Sequence, residues 1–162
     1  MNQIYVPSKM KYLINGKVFT EDTIGMSGSQ ILLFEDTVLK IENTSSSMQE
    51  QVQMMEWLKG KIPVPQVIAY EEEKGKSYLL MSKIQGEMSC STYYLERPHI
   101  LVEALAYGLK MLWQVDIKEC PCIRDLNVVL KEARVRVEND LVDLDNVEST
   151  TFGKDVKVQN IC

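Results

Sequence analysis

Ile24-Gly-Met-Ser-Gly-Ser-Gln30, Ile31-Leu-Leu-Phe34, Glu35-Asp36 and Thr37-Val-Leu-Lys-Ile-Glu42 form, in that order, the stretch whose reading decides the fold. Two short runs rich in Ile, Leu, Val and Phe are split by a polar pair, the pattern of a β-hairpin. A turn of glycines and serines precedes the first run. Lys40 lies between Leu39 and Ile41, and strand side chains alternate faces, so the lysine points away from its apolar neighbours. A small-residue turn above a sheet with one lysine beneath it suits a nucleotide triphosphate. Free backbone N–H groups can approach phosphates there, and an ammonium neutralises them as a point charge. The plain alternative for the same residues is a common hairpin turn and a solvated outer-face lysine.

Outward from this stretch the chain reads as an α+β arrangement. Pro7 to Asn15 predicts a short helix stopped by Gly16, and Lys17 to Ile24 a first strand. After Glu42 a polar connector leads to a helix, with Ser47 and Glu50 at the spacing of a capping box. Met48, Val52 and Met55 share a face of that helix, and Lys59-Gly60 followed by Pro63 and Pro65 ends it. Gln66 to Glu71 and Ser77 to Ser82 predict a fourth and a fifth strand around a charged turn containing Gly75. Five antiparallel strands with one helix inserted after the third make a compact first lobe.

Lys83-Ile-Gln-Gly86 breaks that pattern, which sets a boundary between a first domain, 1–86, and a helical second one, 87–162. In the second, Pro98 starts a helix with Leu101, Leu105, Gly108, Leu112 and Val115 in one stripe. Tyr107, Met111 and Trp113 read as packing residues. A further helix runs from about Leu126 to Leu141, with Asp125 as its cap. An acidic loop containing Asp143, Asp145 and Glu148 follows, then a tail from Phe152 without periodicity.

Composition bounds the function. A chain of 162 residues with 45% hydrophobic and 25% charged residues has ordinary globular usage for about one domain. The net charge of −5 argues against a general nucleic-acid binder. No apolar run has the length of a membrane span, and the N-terminus lacks the pattern of a secretion signal, so a cytoplasmic location is expected. His99 is the only histidine, and Cys90, Cys120, Cys122 and Cys162 make no zinc or Cys-x-x-Cys pattern.

The order strand, small-residue turn, strand, lysine strand, capped helix, two strands and hinge is that of a protein-kinase-like N-lobe. The wording is more specific. Asp22-Thr-Ile-Gly-Met-Ser-Gly-Ser29, Met54-Met-Glu-Trp-Leu58, Gly60-Lys-Ile-Pro-Val-Pro-Gln-Val67, Leu79-Leu-Met-Ser82 and Val115-Asp-Ile-Lys-Glu-Cys-Pro121 closely resemble bacterial aminoglycoside 3′-phosphotransferases. The resemblance runs from about Thr20 to about Asp145. It implies an ATP- and magnesium-dependent kinase that transfers the γ-phosphoryl group to an aminoglycoside hydroxyl and so confers antibiotic resistance. It further implies that Ser27, Gly28 and Ser29 cover the phosphates and that Lys40 contacts the α- and β-phosphates. The backbone of Ser82 and Ile84 would meet adenine, and Asp143, Asp145 and Glu148 would fall where the cationic substrate is partly bound. For those three carboxylates the plain alternative is a solvated acidic face.

Three departures from the family pattern set the remaining expectations. Phosphoryl transfer in this family draws on His-Gly-Asp, a following Asn and an Asp-x-Gly-type motif; here His99 precedes Ile100, and Asp-x-Gly occurs nowhere. The chain thus reads as truncated before the catalytic loop, without magnesium ligands and inactive alone. Gln51 occupies the helix position, six residues before Trp57, where the family faces the strand lysine with a glutamate. Glu50 is adjacent but about 100° around the helix. Val38 stands where relatives often carry an aromatic. Two other readings stay open: a non-catalytic module binding nucleotide or a partner, and one half of a split small-molecule kinase. A shortened helical lobe is also expected to expose the 98–115 helix face and to self-associate through it.

Overall fold

In a computed structural model of the chain, residues 4–22, 28–122 and 125–142 are described. They fall into two compact units, Met1–Pro121 and Cys122–Cys162. The boundary expected near Gly86 lies inside the first.

The first unit is built on five antiparallel strands: β1 Thr20–Asp22, β2 Gln30–Leu33, β3 Thr37–Asn43, β4 Val67–Glu73 and β5 Lys76–Ser82, in the spatial order β1-β2-β3-β5-β4. Helix α1, Ser8–Ile14, precedes β1, and α2, Ser46–Leu58, stands between β3 and β4. The β2–β3 hairpin closes at Glu35-Asp36 with the Phe34 N–H donating to the Thr37 carbonyl at 2.9 Å. The β4–β5 hairpin is tighter than the charged 72–76 turn expected. Glu73 pairs with Lys76, leaving only Lys74 and Gly75 in the loop, both at positive φ, +53° and +74°. Two consecutive left-handed residues match the right-handed twist of the flanking strands, and a glycine takes the second place without steric cost.

Alternation along β3 divides the core between two faces. Leu39 and Ile41 join Leu32, Phe34, Ala69, Tyr78, Leu80 and Met10 of α1 in one buried cluster. On the other face Leu79 packs with Met48 and Met55 of α2, flanked by Val52, Val67, Tyr70 and Met81. The methionines expected on the inner face of α2 are therefore the ones buried there.

Several boundaries differ from the sequence expectation. Strand β1 begins at Thr20 rather than Lys17, because its only neighbour, β2, ends at Leu33 opposite Thr20. Helix α2 starts one residue before Ser47, with Ser45 at the N-cap and no side-chain capping bond. Ser47 and Glu50 thus lie inside the helix rather than forming a capping box, and the Ser45 and Ser47 hydroxyls bond each other at 2.8 Å. A four-residue helix, α3, Thr92–Leu95, forms in the polar segment before Pro98 and was not foreseen.

Helix α4, Pro98–Trp113, opens with Pro98 in its first turn as expected. It buries none of its residues. Tyr107 and Trp113, read as packing residues, are 66% and 77% exposed, and Val102, Leu105, Leu109 and Leu112 are exposed with them. In the second unit α5, Leu126–Glu138, is capped by Asp125, whose carboxylate accepts from the Val128 N–H at 2.9 Å. It ends three residues before Leu141. Asp143, Asp145 and Glu148 and the tail from Phe152 lie outside the described residues, as does Ser27.

Candidate nucleotide site

Lys40 is held in place by its strand before any side chain contributes. Its backbone runs at the middle of β3, opposite Ile31 of β2 and Leu79 of β5. With Leu39 and Ile41 buried on one face, the side chain emerges on the other, the face that carries α2. There the ammonium donates to the Gln51 amide oxygen at 3.0 Å and lies 3.1 Å from Glu42 Oε2. Gln51, on α2, is the helix position predicted to face the lysine. Glu42 was not singled out, although it is two residues along the same strand and shares Lys40's face.

The same Glu42 oxygen accepts a hydrogen bond from the Ser29 hydroxyl at 3.0 Å. The β2–β3 register explains that contact: Gln30 opposes Ile41, which brings Ser29 beside Glu42. Gly28, next to it, has a φ of +70°, with nothing within 4 Å of where a Cβ would stand. It is the backbone conformation, not crowding, that favours glycine at this turn. Ser29, Glu42, Lys40 and Gln51 therefore form one continuous polar chain from the small-residue turn to α2.

Ser82 closes the far end of the same ladder, and Ile84 follows two residues beyond β5. Ser82 opposes Thr37, three residues from Lys40, or roughly 10 Å along the strand. Its N–H donates to the Gln66 carbonyl at 2.9 Å, and its hydroxyl accepts from the Gln66 N–H at 2.8 Å. The next N–H, that of Lys83, goes to the Asp36 carbonyl at 2.9 Å. Ile84 is half exposed, and among the described residues its N–H has no backbone partner. The structure thus ties Ser82 and Lys83 into the lobe and leaves Ile84 at the rim. Val38 opposes Met81 between this end and Lys40, an aliphatic wall without an aromatic ring.

Helix α2 is fastened at its outer side as well. Gln49 donates to Glu72 Oε1 at 2.9 Å, and the Tyr70 hydroxyl donates to the same oxygen. These two bonds, that from Tyr70 foremost, hold the Glu72 carboxyl below its ordinary 4.5. Burial, followed by the bonded carboxylate, pushes the Tyr70 hydroxyl up from 10.0.

The arrangement suits a polyphosphate: a cationic donor and a serine hydroxyl meet at Glu42 on one face of the sheet, next to a glycine at positive φ. Among the described residues no group of three His, Cys, Asp or Glu side chains is arranged to hold a metal ion. Glu42 is already paired with the Lys40 ammonium and accepts from the Ser29 hydroxyl. No helix of the described residues is long and apolar enough to cross a membrane.

Residues 21–152 match the model of the phosphotransferase enzyme family. The chain is 31% identical to an aminoglycoside 3′-phosphotransferase of Staphylococcus aureus, an alignment covering 96% of this chain and 63% of that relative. The chain thus spans less than two thirds of that relative's length. Among solved structures, an aminoglycoside-3′-phosphotransferase of type VIII superimposes with a TM-score of 0.73 at 20% identity, over 94% of this chain and 58% of the other. The aminoglycoside phosphotransferase APH(3'')-Id of Streptomyces rimosus, in complex with ADP and streptomycin, gives 0.67 at 18%, over 88% and 54%. At those identities the likeness establishes the fold, and both structures share this chain's sheet-and-helix architecture.

Proposed function

The chain belongs to the phosphotransferase enzyme family, and from that premise we propose that residues 1–86 are its nucleotide-holding lobe and residues 87–162 the beginning of a helical substrate lobe. ATP is the nucleotide, with its phosphates beneath Ser27, Gly28 and Ser29 and against Lys40. Its adenine lies along the Ser82–Ile84 backbone, where the rim N–H of Ile84 is the donor that remains. The observation that carries this reading is the Lys40 ammonium, anchored between α2 and β3 beside the Glu42 carboxylate that the Ser29 hydroxyl reaches.

The acceptor class follows from the relatives' names. An aminoglycoside is polycationic, and Asp143, Asp145 and Glu148 supply carboxylates of the complementary sign. The setting is the cytoplasm, where ATP is abundant. Magnesium would have to be bound by groups other than those described.

On its own the 162-residue chain grips nucleotide without transferring phosphate. A positioned general base contributes typically 10²–10⁴-fold, and the chain contains neither His-Gly-Asp nor Asp-x-Gly. A second reading, favoured by the exposed apolar residues of α4, is that another polypeptide docks there and completes the site. Calorimetric titration with ADP tests the nucleotide claim: Lys40→Ala should abolish or strongly weaken the heat signal. Unchanged binding in that variant removes the Lys40 cleft as the site. Phosphorylated kanamycin produced by the purified chain with ATP and magnesium would overturn the claim of inactivity.

A further inference from the structure

Lys40 has three ammonium protons and, as a lysine, no acceptor of its own. Gln51 Oε1 takes one at 3.0 Å and the Glu42 carboxylate pairs with the ammonium from 3.1 Å, so at least one proton remains for an incoming anion. Of the two partners only Glu42 carries charge, and it is the one ion-pair partner that Lys40 has among the described residues. Both side chains are about four-fifths buried, at 19% and 17% exposure, where water screens the pair less than at the surface. The Glu42 oxygen also accepts from Ser29 at 3.0 Å, so one atom fixes the lysine and the turn together.

We propose that Glu42 is the positioning residue for Lys40, and that the counter-charge of this site resides on strand β3 rather than on helix α2. Because Lys40 and Glu42 are two residues apart on one strand, their spacing is set by the backbone and is independent of how α2 moves. Gln51 serves as a neutral second acceptor. The consequence for nucleotide binding rests on the reading of the cleft given above; the pairing of lysine with carboxylate does not.

The test therefore has two arms, both on the full 162-residue chain. Without nucleotide, acetic anhydride labelling followed by mass spectrometry reads the availability of the Lys40 amine. Glu42→Gln removes the charge while leaving an amide oxygen in reach, and should raise Lys40 labelling roughly three- to tenfold, the size of one ordinary net interaction, relative to other lysines in the chain. Adding Gln51→Glu to Glu42→Gln moves the charge onto the helix at the same distance from the ammonium and should bring labelling back to the original level. Unchanged labelling in Glu42→Gln, or enhanced labelling that the second substitution fails to reverse, overturns the proposal. The second result would assign Glu42 a merely local structural role. In the other arm, ADP titration should show weaker binding in Glu42→Gln and recovery in the double variant. If the unaltered chain binds no ADP, the nucleotide reading fails by itself, and the labelling arm still decides the role of Glu42.

Discussion

Leu79 stands directly across the ladder from Lys40 and is fully buried between Met48 and Met55 of α2. One side chain thus supports both the strand that presents the lysine and the helix that supplies Gln51. Truncating it to alanine removes its methyl groups and leaves a cavity at that junction, which costs about 2–5 kcal/mol. Urea denaturation of Leu79→Ala should show that loss as a lower midpoint. A change below about 0.5 kcal/mol, the level of a surface substitution, would mean that α2 is not packed against β5 as described. At this scale the sequence is legible in part. Leu39 and Ile41 reveal which way Lys40 points, by alternation alone. The same alternation puts Glu42 beside Lys40, but its second partner, Ser29, follows from the β2–β3 register. That register depends on the hairpin closing at Glu35-Asp36 and on nothing visible at Glu42 itself.

Helix α2 is held by unlike contacts on its two sides, Met48 and Met55 beneath and the Gln49–Glu72–Tyr70 link at its flank. The link depends on an ionised Glu72. Since the folded carboxyl lies below its ordinary 4.5, the unfolded chain takes up a proton at higher pH than the folded chain does. The stabilisation from Glu72 is therefore complete above pH 4.5 and is lost as pH falls further, through the depressed folded value. Glu72→Gln, which has no such proton to gain, should be less stable than the original chain at neutral pH. The gap should narrow as the solution is acidified below 4.5. Chemical denaturation at a series of pH values would expose a constant gap, which would rule out ionised Glu72 as the source. Periodicity located this helix and its inner face, yet it misplaced the start. Three consecutive serines, Ser45, Ser46 and Ser47, offer equivalent caps, and the choice between them is made by where β3 releases the chain at Asn43. Helix α3 was missed because four residues are too few to show a period.

For the molecule as a whole, α4 poses the physical problem. Its leucine stripe is evident in the sequence, and a stripe normally predicts a partner, yet none of its residues is buried. What a sequence cannot show is the identity of the surface a stripe packs against, since that depends on chain brought in from elsewhere. Val102, Leu105, Leu109, Leu112 and Trp113 are each about half exposed or more, and apolar groups collected on one helix favour association once concentration offsets the entropy of pairing. Sedimentation velocity of the 162-residue chain should therefore show a weight-average mass that rises with concentration. Replacing Leu105 and Leu112 by glutamate should restore the monomer while leaving ADP binding in place, because neither residue belongs to the Lys40 cleft. Were the unaltered chain monomeric throughout, or were the double variant to associate as before, the α4 face would not be the contact. A chain that associates and yet binds nucleotide through Lys40 would separate the two properties physically: the polar groups around Lys40 are borne by β3 and α2, whereas α4 needs a surface to cover it.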